Sequence, residues 1–278
     1  ANCLPVARPE GYDRDFIAGL EKGSVVEIPN RKFGWNRPQV VGPHDDYVEG
    51  DWPTRQRVMD EHWQATLGML YFLQNDESVP AQQRERWKPL GLAADEFPDN
   101  GHRPYEIYVR EARRIVGRYV FTQHDGSLPA HLDRAPVHPD SVGITEWYFD
   151  SHACTKRRVP GSLDEGKHML HEITFPGQVP YRSLLPKGLD NLLVPVCLSS
   201  THVAWGTIRL EPTWMNLAES AAYAAGLALE TGVSPSDIDS DALLRRLADA
   251  RVMITFFNDI DLDADDPRVP AAQYFGTK

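Results

Sequence analysis

The segment from 180 to 228 constrains the fold more than any other part of the chain. Its residues Leu192, Leu193, Val194 and Val196 form a continuous apolar run of the kind that fills a strand covered on both faces. A loop of Ser, Thr, His, Gly and Arg follows, then Glu211-Pro212-Thr213. Residues 215–229 read as a helix made mainly of small residues: Ala218, Ala221, Ala222, Ala224, Ala225, Gly226 and Ala228. Small side chains let a helix axis lie close to a sheet or a cofactor. The pattern predicts a buried parallel strand at 191–198, with a polar loop at its carboxyl end and the positive end of a helix beside it. Anionic or electron-rich groups bind well in such a place. Pattern alone supports a ligand-binding strand–loop–helix and names no ligand.

Elsewhere the reading is coarser. Val58, Trp63, Leu67, Leu70, Tyr71 and Phe72 recur at helical spacing after Pro53, which predicts an amphipathic helix over 54–74. Shorter helices are expected at 13–21, 81–90 and 241–250, the last with Ser240 as its N-cap. Tyr105, Ile107 and Val109, then Ile115, Tyr119 and Phe121, suggest strands joined through the charged run Arg110-Glu111-Ala112-Arg113-Arg114; one long helix is the alternative. Residues 122–142 read as loop. Residues 144–149 and 168–175 read as strands, separated by a polar stretch with Pro160-Gly161. The first 50 residues, beyond their one short helix, are irregular and punctuated by Pro29-Asn30-Arg31 and Gly42-Pro43-His44.

Several function classes are disfavoured. A net charge of −11 opposes sequence-independent binding to nucleic acid, which needs Lys and Arg to displace counterions from phosphates. No apolar run approaches the ~20 residues that cross a bilayer, so the chain reads as soluble, with its compartment open. Cys3, Cys154 and Cys197 lie far apart and form no CxxC pair. His168, His171 and Glu172 do not follow the H-E-x-x-H order of zinc hydrolases. Asp259, Asp261, Asp263, Asp265 and Asp266 lack the glycine and glutamate of a calcium loop and read as a solvated acidic turn. His124, His131 and His138 match no metal spacing.

The ordered motifs say more. Pro180-Tyr181-Arg182-Ser183-Leu184 with Pro186 precedes Asn191-Leu192-Leu193-Val194; then come Ser200, Thr201, His202, Ala204, Gly206, Ile208, Arg209 and Pro212. Two further blocks are Tyr108-Val109-Arg110-Glu111-Ala112-Arg113-Arg114-Ile115-Val116-Gly117 and Asp150-Ser151-His152; Leu70-Tyr71-Phe72-Leu73-Gln74 is another. Together they resemble the bacterial type of FAD-dependent oxidoreductase family, over roughly residues 30–278. Members of that family begin with a Gly-x-Gly-x-x-Gly turn that grips the FAD pyrophosphate, and no such motif occurs here. Similar proteins also continue past Gln273-Tyr274-Phe275-Gly276-Thr277-Lys278. The resemblance is therefore to the C-terminal portion, as a piece of a longer polypeptide or one partner of a split enzyme. One departure is local: the family's Gly-Gln-Ala-Ala-Gly is replaced by Ala218-Glu219-Ser220-Ala221-Ala222.

The resulting expectation is a mixed α/β fold, incomplete as a flavin domain. Residues 1–100 form an irregular and helical segment, and 101–185 a strand-rich substrate region. Residues 186–231 supply the closing strand–loop–helix of an FAD-binding Rossmann-like domain, and 232–278 a helical tail. The resemblance implies FAD as cofactor, a small-molecule substrate, and a chain or segment carrying the missing N-terminal half. His202, Arg209 and His152 are the candidate catalytic residues. Ser200, Thr201, Gly206, Pro212, Thr213 and Met215 are the candidate cofactor contacts, with Trp214 beside them; Tyr181, Arg182 and Arg110 are the candidate substrate contacts. For each of these a plainer role stands beside the functional one: a backbone-bonded loop histidine, an ion-paired arginine, a solvated charged run. Two rival functions remain, a non-catalytic binding protein or fragment unable to hold FAD, and a carbohydrate-active enzyme on a flavoprotein-like scaffold.

Overall fold

The computed structural model describes residues 3–23, 25–29, 32–154, 160, 167–261 and 263–278. Asn30-Arg31 and most of the polar stretch around Pro160-Gly161 lie outside the described residues. The chain divides into two compact units, one running up to Val109 and including Cys154, the other comprising Arg110–Ala153 and Pro160–Lys278.

The first unit contains β1 (Cys3–Leu4), α1 (Arg14–Ala18), β2 (Val25–Ile28), β3 (Lys32–Trp35), α2 (Trp52–Asn75), α3 (Ala81–Trp87) and β4 (Leu92–Ala93). The periodicity of residues 54–74 forms α2 as expected. Asp51 caps it by accepting the Thr54 N–H at 3.0 Å, and Pro53 sits in the first turn, where a missing N–H costs no helical bond. Gly68 lets α1 approach: a Cβ there would meet Ile17 Cδ1 at 2.9 Å. Gln74, buried at the other end, donates to the carbonyls of Trp87 and Leu90, which fixes the turn after α3.

The second unit holds β5 (Ser141–Thr145), β6 (Phe149–Ser151), β7 (His168–Leu170), β8 (Gly177–Pro180), α4 (His202–Ile208), α5 (Glu211–Thr231), α6 (Ser240–Asp249) and α7 (Arg268–Phe275). Among the described residues its strands pair two by two, β5 with β8 and β6 with β7, both antiparallel. The core gathers Phe121, Phe149, Leu184, Leu198, Ile208 and Leu217 with α6. α5 packs on β5 through its small and polar residues. Ser220 Oγ donates to Val142 O (2.6 Å), and Asn216 Oδ1 accepts from Ile144 N (3.2 Å). Gly143 makes this possible, since a Cβ there would lie 2.4 Å from Asn216 Oδ1. The small-residue pattern is thus used to seat the helix on a strand pair. The chain end is held by Gln178, which donates to Thr255 Oγ1 and Gly276 O, both at 2.8 Å.

Four expectations are corrected. Residues 191–198 form no strand: Leu192 is 43% and Val196 47% exposed, and only Leu198 is fully buried. Pro195 removes a donor there, and the segment is flanked by irregular chain rather than by strands that could pair with it. Residues 105–121 form neither strands nor a long helix. They are extended chain with isolated bridges at Gly117 to Pro186 and Phe121 to Ser200. The strand expected at 168–175 stops at Leu170 and becomes a 3-10 turn, His171–Ile173. The 241–250 helix forms, but Asp239 caps it rather than Ser240.

Candidate functional site

The charged run 110–114 is strapped along the loop and helix that carry the His202 motif. Trp205 Nε1 donates to Arg110 O (2.8 Å), Arg114 Nε donates to Ser200 O (3.0 Å), and Ile115 N donates to Cys197 O (3.0 Å). Between these anchors Glu111 meets His202, with both carboxylate oxygens near Nδ1, at 2.9 and 2.8 Å. An ionised carboxylate can only accept, so Nδ1 carries the hydrogen. Arg114 also pairs with Glu111, and its guanidinium lies 5.4 Å from the Trp205 ring centre. His202 is 35% exposed, whereas Glu111 and Arg114 are more covered, at 25% and 20%. The histidine is therefore the member of the group most open to a ligand. It stands at the first position of α4, after Thr201, whose hydroxyl caps the helix by accepting from Ala204 N.

Burial works to raise the Glu111 carboxyl, but hydrogen bonds from His202 and Arg114 outweigh it and leave the group below its ordinary value. His168, on β7, lies edge-to-face with His202 at 5.5 Å. Burial and then the charge of His202 push its imidazole below the ordinary value, so it favours the neutral form.

Beneath this group, Arg209 Nη2 donates to Asp150 Oδ2 at 2.7 Å, and both side chains are 7% exposed. The other Asp150 oxygen is buried with no hydrogen-bond partner among the described residues. Gly206 is what lets α4 approach β6: a Cβ would sit 2.4 Å from Asp150 N and 2.7 Å from Asp150 O. The side where its Cβ would stand faces the β6 backbone.

The remaining candidates divide clearly. Tyr181 is buried, and its hydroxyl donates to Pro235 O (2.8 Å). Arg182 is held bidentately by Asp140 at 2.9 and 3.1 Å and lies over Tyr119. Ser200 Oγ donates to the Thr201 backbone carbonyl (2.9 Å), and the Thr201 hydroxyl accepts from Ala204 N, so both hydroxyls have local partners. His152 is buried just past β6. Pro212 and Met215 are exposed on the first turns of α5, and Thr213 is buried there. No side chain caps α5, and the Trp214 indole N–H is buried with no partner among the described residues. Arg110 enters the group through its backbone carbonyl.

Glu111, His168 and Asp150 are missing from the candidates read off the sequence. Glu111 lies in a charged run that reads as a solvated face. The usable signal was that the run has no helical periodicity and lies inside one of the resembling blocks. Of the other constellations, the His124, His131 and His138 loop yields a buried His138 bonded to Asp125 (2.9 Å), with Tyr119 on the same carboxylate (2.5 Å). The acidic turn closes on itself, with Asp261 accepting from Asp263 N and Asp266 pairing with Arg268.

The model of the family described as FAD dependent oxidoreductase matches residues 3–247. The chain belongs to this family. No curated protein and no solved structure matches it. The family match runs through both units and includes the strap, α4 and α5. No helix among the described residues is long and apolar enough to cross a membrane.

Proposed function

We propose that this chain supplies the substrate side of an FAD-dependent oxidoreductase, with His202 as the residue that exchanges a proton with the substrate. The observation that carries this reading is the Glu111–His202 pair, built into the segment that the family shares and left partly open at the histidine. When bound, FAD accepts a hydride from a substrate C–H bond; the protein's part is orientation, electrostatics and the accompanying proton. The start of α5 fits an electron-rich ring edge, because among the described residues no side chain occupies its cap and the Trp214 indole N–H has no partner. Thr213 and Trp214 are the residues that would hold such an edge. Gly206 is not among them, being closed by β6.

A second reading has its own observation. Among the glycines of this sequence no two stand two residues apart, so no Gly-x-Gly turn is available to grip a pyrophosphate. On that reading a Rossmann-like flavin domain is completed by another chain or segment, and these residues alone hold FAD weakly. The visible spectrum of the chain purified from its native source, taken with its intact mass, separates the two. Oxidised-flavin absorbance that bleaches anaerobically with a small organic substrate supports the enzyme, and His202→Asn then slows the bleaching by about 10²–10⁴-fold. A colourless protein at the mass of these residues, which also fails to take up added FAD, refutes it for this chain.

A further inference from the structure

His202 does not stand alone, and the way it is held says more than its position. The strap contacts run in opposite order along the two segments: Arg110 with Trp205, Glu111 with His202, Arg114 with Ser200, Ile115 with Cys197. Backbone groups make or accept three of these four contacts, so the placement of Glu111 does not depend on the freedom of its own side chain. Arg114 adds a second hold on the same carboxylate and is itself tied to Ser200 O. A surface ion pair would have none of this support and would be worth little. We propose that Glu111 is the positioning residue for His202: by accepting the Nδ1–H it fixes which ring nitrogen carries the hydrogen and assigns Nε2 to proton exchange with the substrate.

The inference rests on the reading of His202 as the proton-handling group and deepens it. The balance is simple. Nε2 accepts one proton, the ring becomes a cation, and the pair with Glu111 goes from a net charge of −1 to neutral, with no bond broken in the protein. The charged and titratable groups facing His202 among the described residues of this unit are Glu111 and Arg114 on the strap and His168 on β7. Arg114 opposes the imidazolium and Glu111 favours it; the direct, two-oxygen contact belongs to Glu111.

The test needs no cofactor and no substrate. Ring nitrogens of the full chain labelled with ¹⁵N-histidine are followed by long-range NMR correlation across pH, with His202→Asn identifying the signal. In the wild type the neutral ring carries its hydrogen on Nδ1, the minor form of free histidine. Glu111→Gln, which keeps shape and removes charge, lowers the His202 titration midpoint by about one pH unit or more, a tenfold or greater loss of proton affinity. Glu111→Ala returns the ring to the Nε2–H form. A wild-type ring protonated on Nε2, or a Glu111→Gln midpoint equal to the wild type, overturns the proposal. If Glu111→Ala does not fold, the wild-type tautomer and the Glu111→Gln midpoint decide it. These readouts are independent of flavin reduction, so a positioned histidine in a protein that reduces no flavin would sink the functional reading while leaving the pairing intact.

Discussion

Gly206→Ala separates a packing role from a cofactor role at a single atom. The added Cβ would lie 2.4 Å from Asp150 N, 2.7 Å from Asp150 O and 3.0 Å from Asp150 C. Ordinary carbon contacts lie at about 3.5–4.0 Å, so α4 and β6 must part by about 1 Å. All three atoms are backbone of a paired strand, and no side chain can swing aside. Overpacking of this kind costs about 1–3 kcal/mol. The same opening stretches the buried 2.7 Å bond between Arg209 and Asp150 beyond hydrogen-bonding range, and a broken buried pair costs a further few kcal/mol, up to about 3–5. The expected total is at least about 3 kcal/mol, seen in urea as a midpoint lowered by about 1 M for a slope near 3 kcal/mol per M. Gly226→Ala provides the opposite control. It lies inside α5 with nothing within 4 Å of where the new methyl would sit, so alanine there stabilises by about 0.5–1 kcal/mol. If Gly206 instead served only to let a flavin approach, Gly206→Ala would unfold with the wild type and lose flavin alone. A midpoint within about 0.2 M of the wild type refutes the packing argument.

Three further outcomes follow from the same contacts. Arg209→Met leaves Asp150 buried without its cation and lowers stability by about 3–5 kcal/mol in chemical denaturation; a loss under about 1 kcal/mol would show that water reaches the pair. Tyr119→Phe removes a 2.5 Å hydrogen bond to the buried Asp125 carboxylate and costs roughly 1.5–3 kcal/mol. Burial, then Asp125, raise the Tyr119 hydroxyl well above its ordinary value, so it stays a donor throughout the neutral range and the cost does not vary with pH there. Thermal melts against pH carry a sign for each depressed group. The folded value of His168 lies below its ordinary 6.5, so its contribution is complete above that pH and is lost as pH falls through the folded value. His168→Gln removes that first acid-side step, and its persistence in the variant would refute the assignment. Glu111 and Asp125, depressed from 4.5 and 3.8, are complete above those values and lost at lower pH.

What the sequence disclosed depended on whether a segment carried its own periodicity. α2 was legible from apolar residues at helical spacing after Pro53, α5 from its run of small residues, and α6 from a capping residue at its start. The run at 191–198 misled because an apolar stretch signals a strand only if other strands lie beside it. Here Pro195 and irregular flanking chain leave Leu192 and Val196 at the surface. The strap was illegible for the converse reason. Residues 110–115 have no period, and their structure comes from partners about 90 positions away, such as Glu111 with His202 at a separation of 91. His202 itself was found through its motif, whereas its partner could only be found in space.

The same motif, taken residue by residue, sets one histidine apart from its neighbours. Thr201 caps α4, Ala204 and Ile208 are fully buried, Gly206 admits β6, and Arg209 is neutralised by Asp150. Each of these has a packing partner that accounts for its residue type. His202 is different: like Arg209 it pairs with a carboxylate on a separate segment, but it stays about a third exposed where Arg209 is buried. A histidine held by Glu111 at about a third exposed is costly to justify by stability alone, because the pair gains little Coulomb energy where water still reaches it. The α4 motif therefore reads as a scaffold of close contacts that fixes one ring in place; the tautomer measurement tests how that ring is held, and flavin reduction tests what it does.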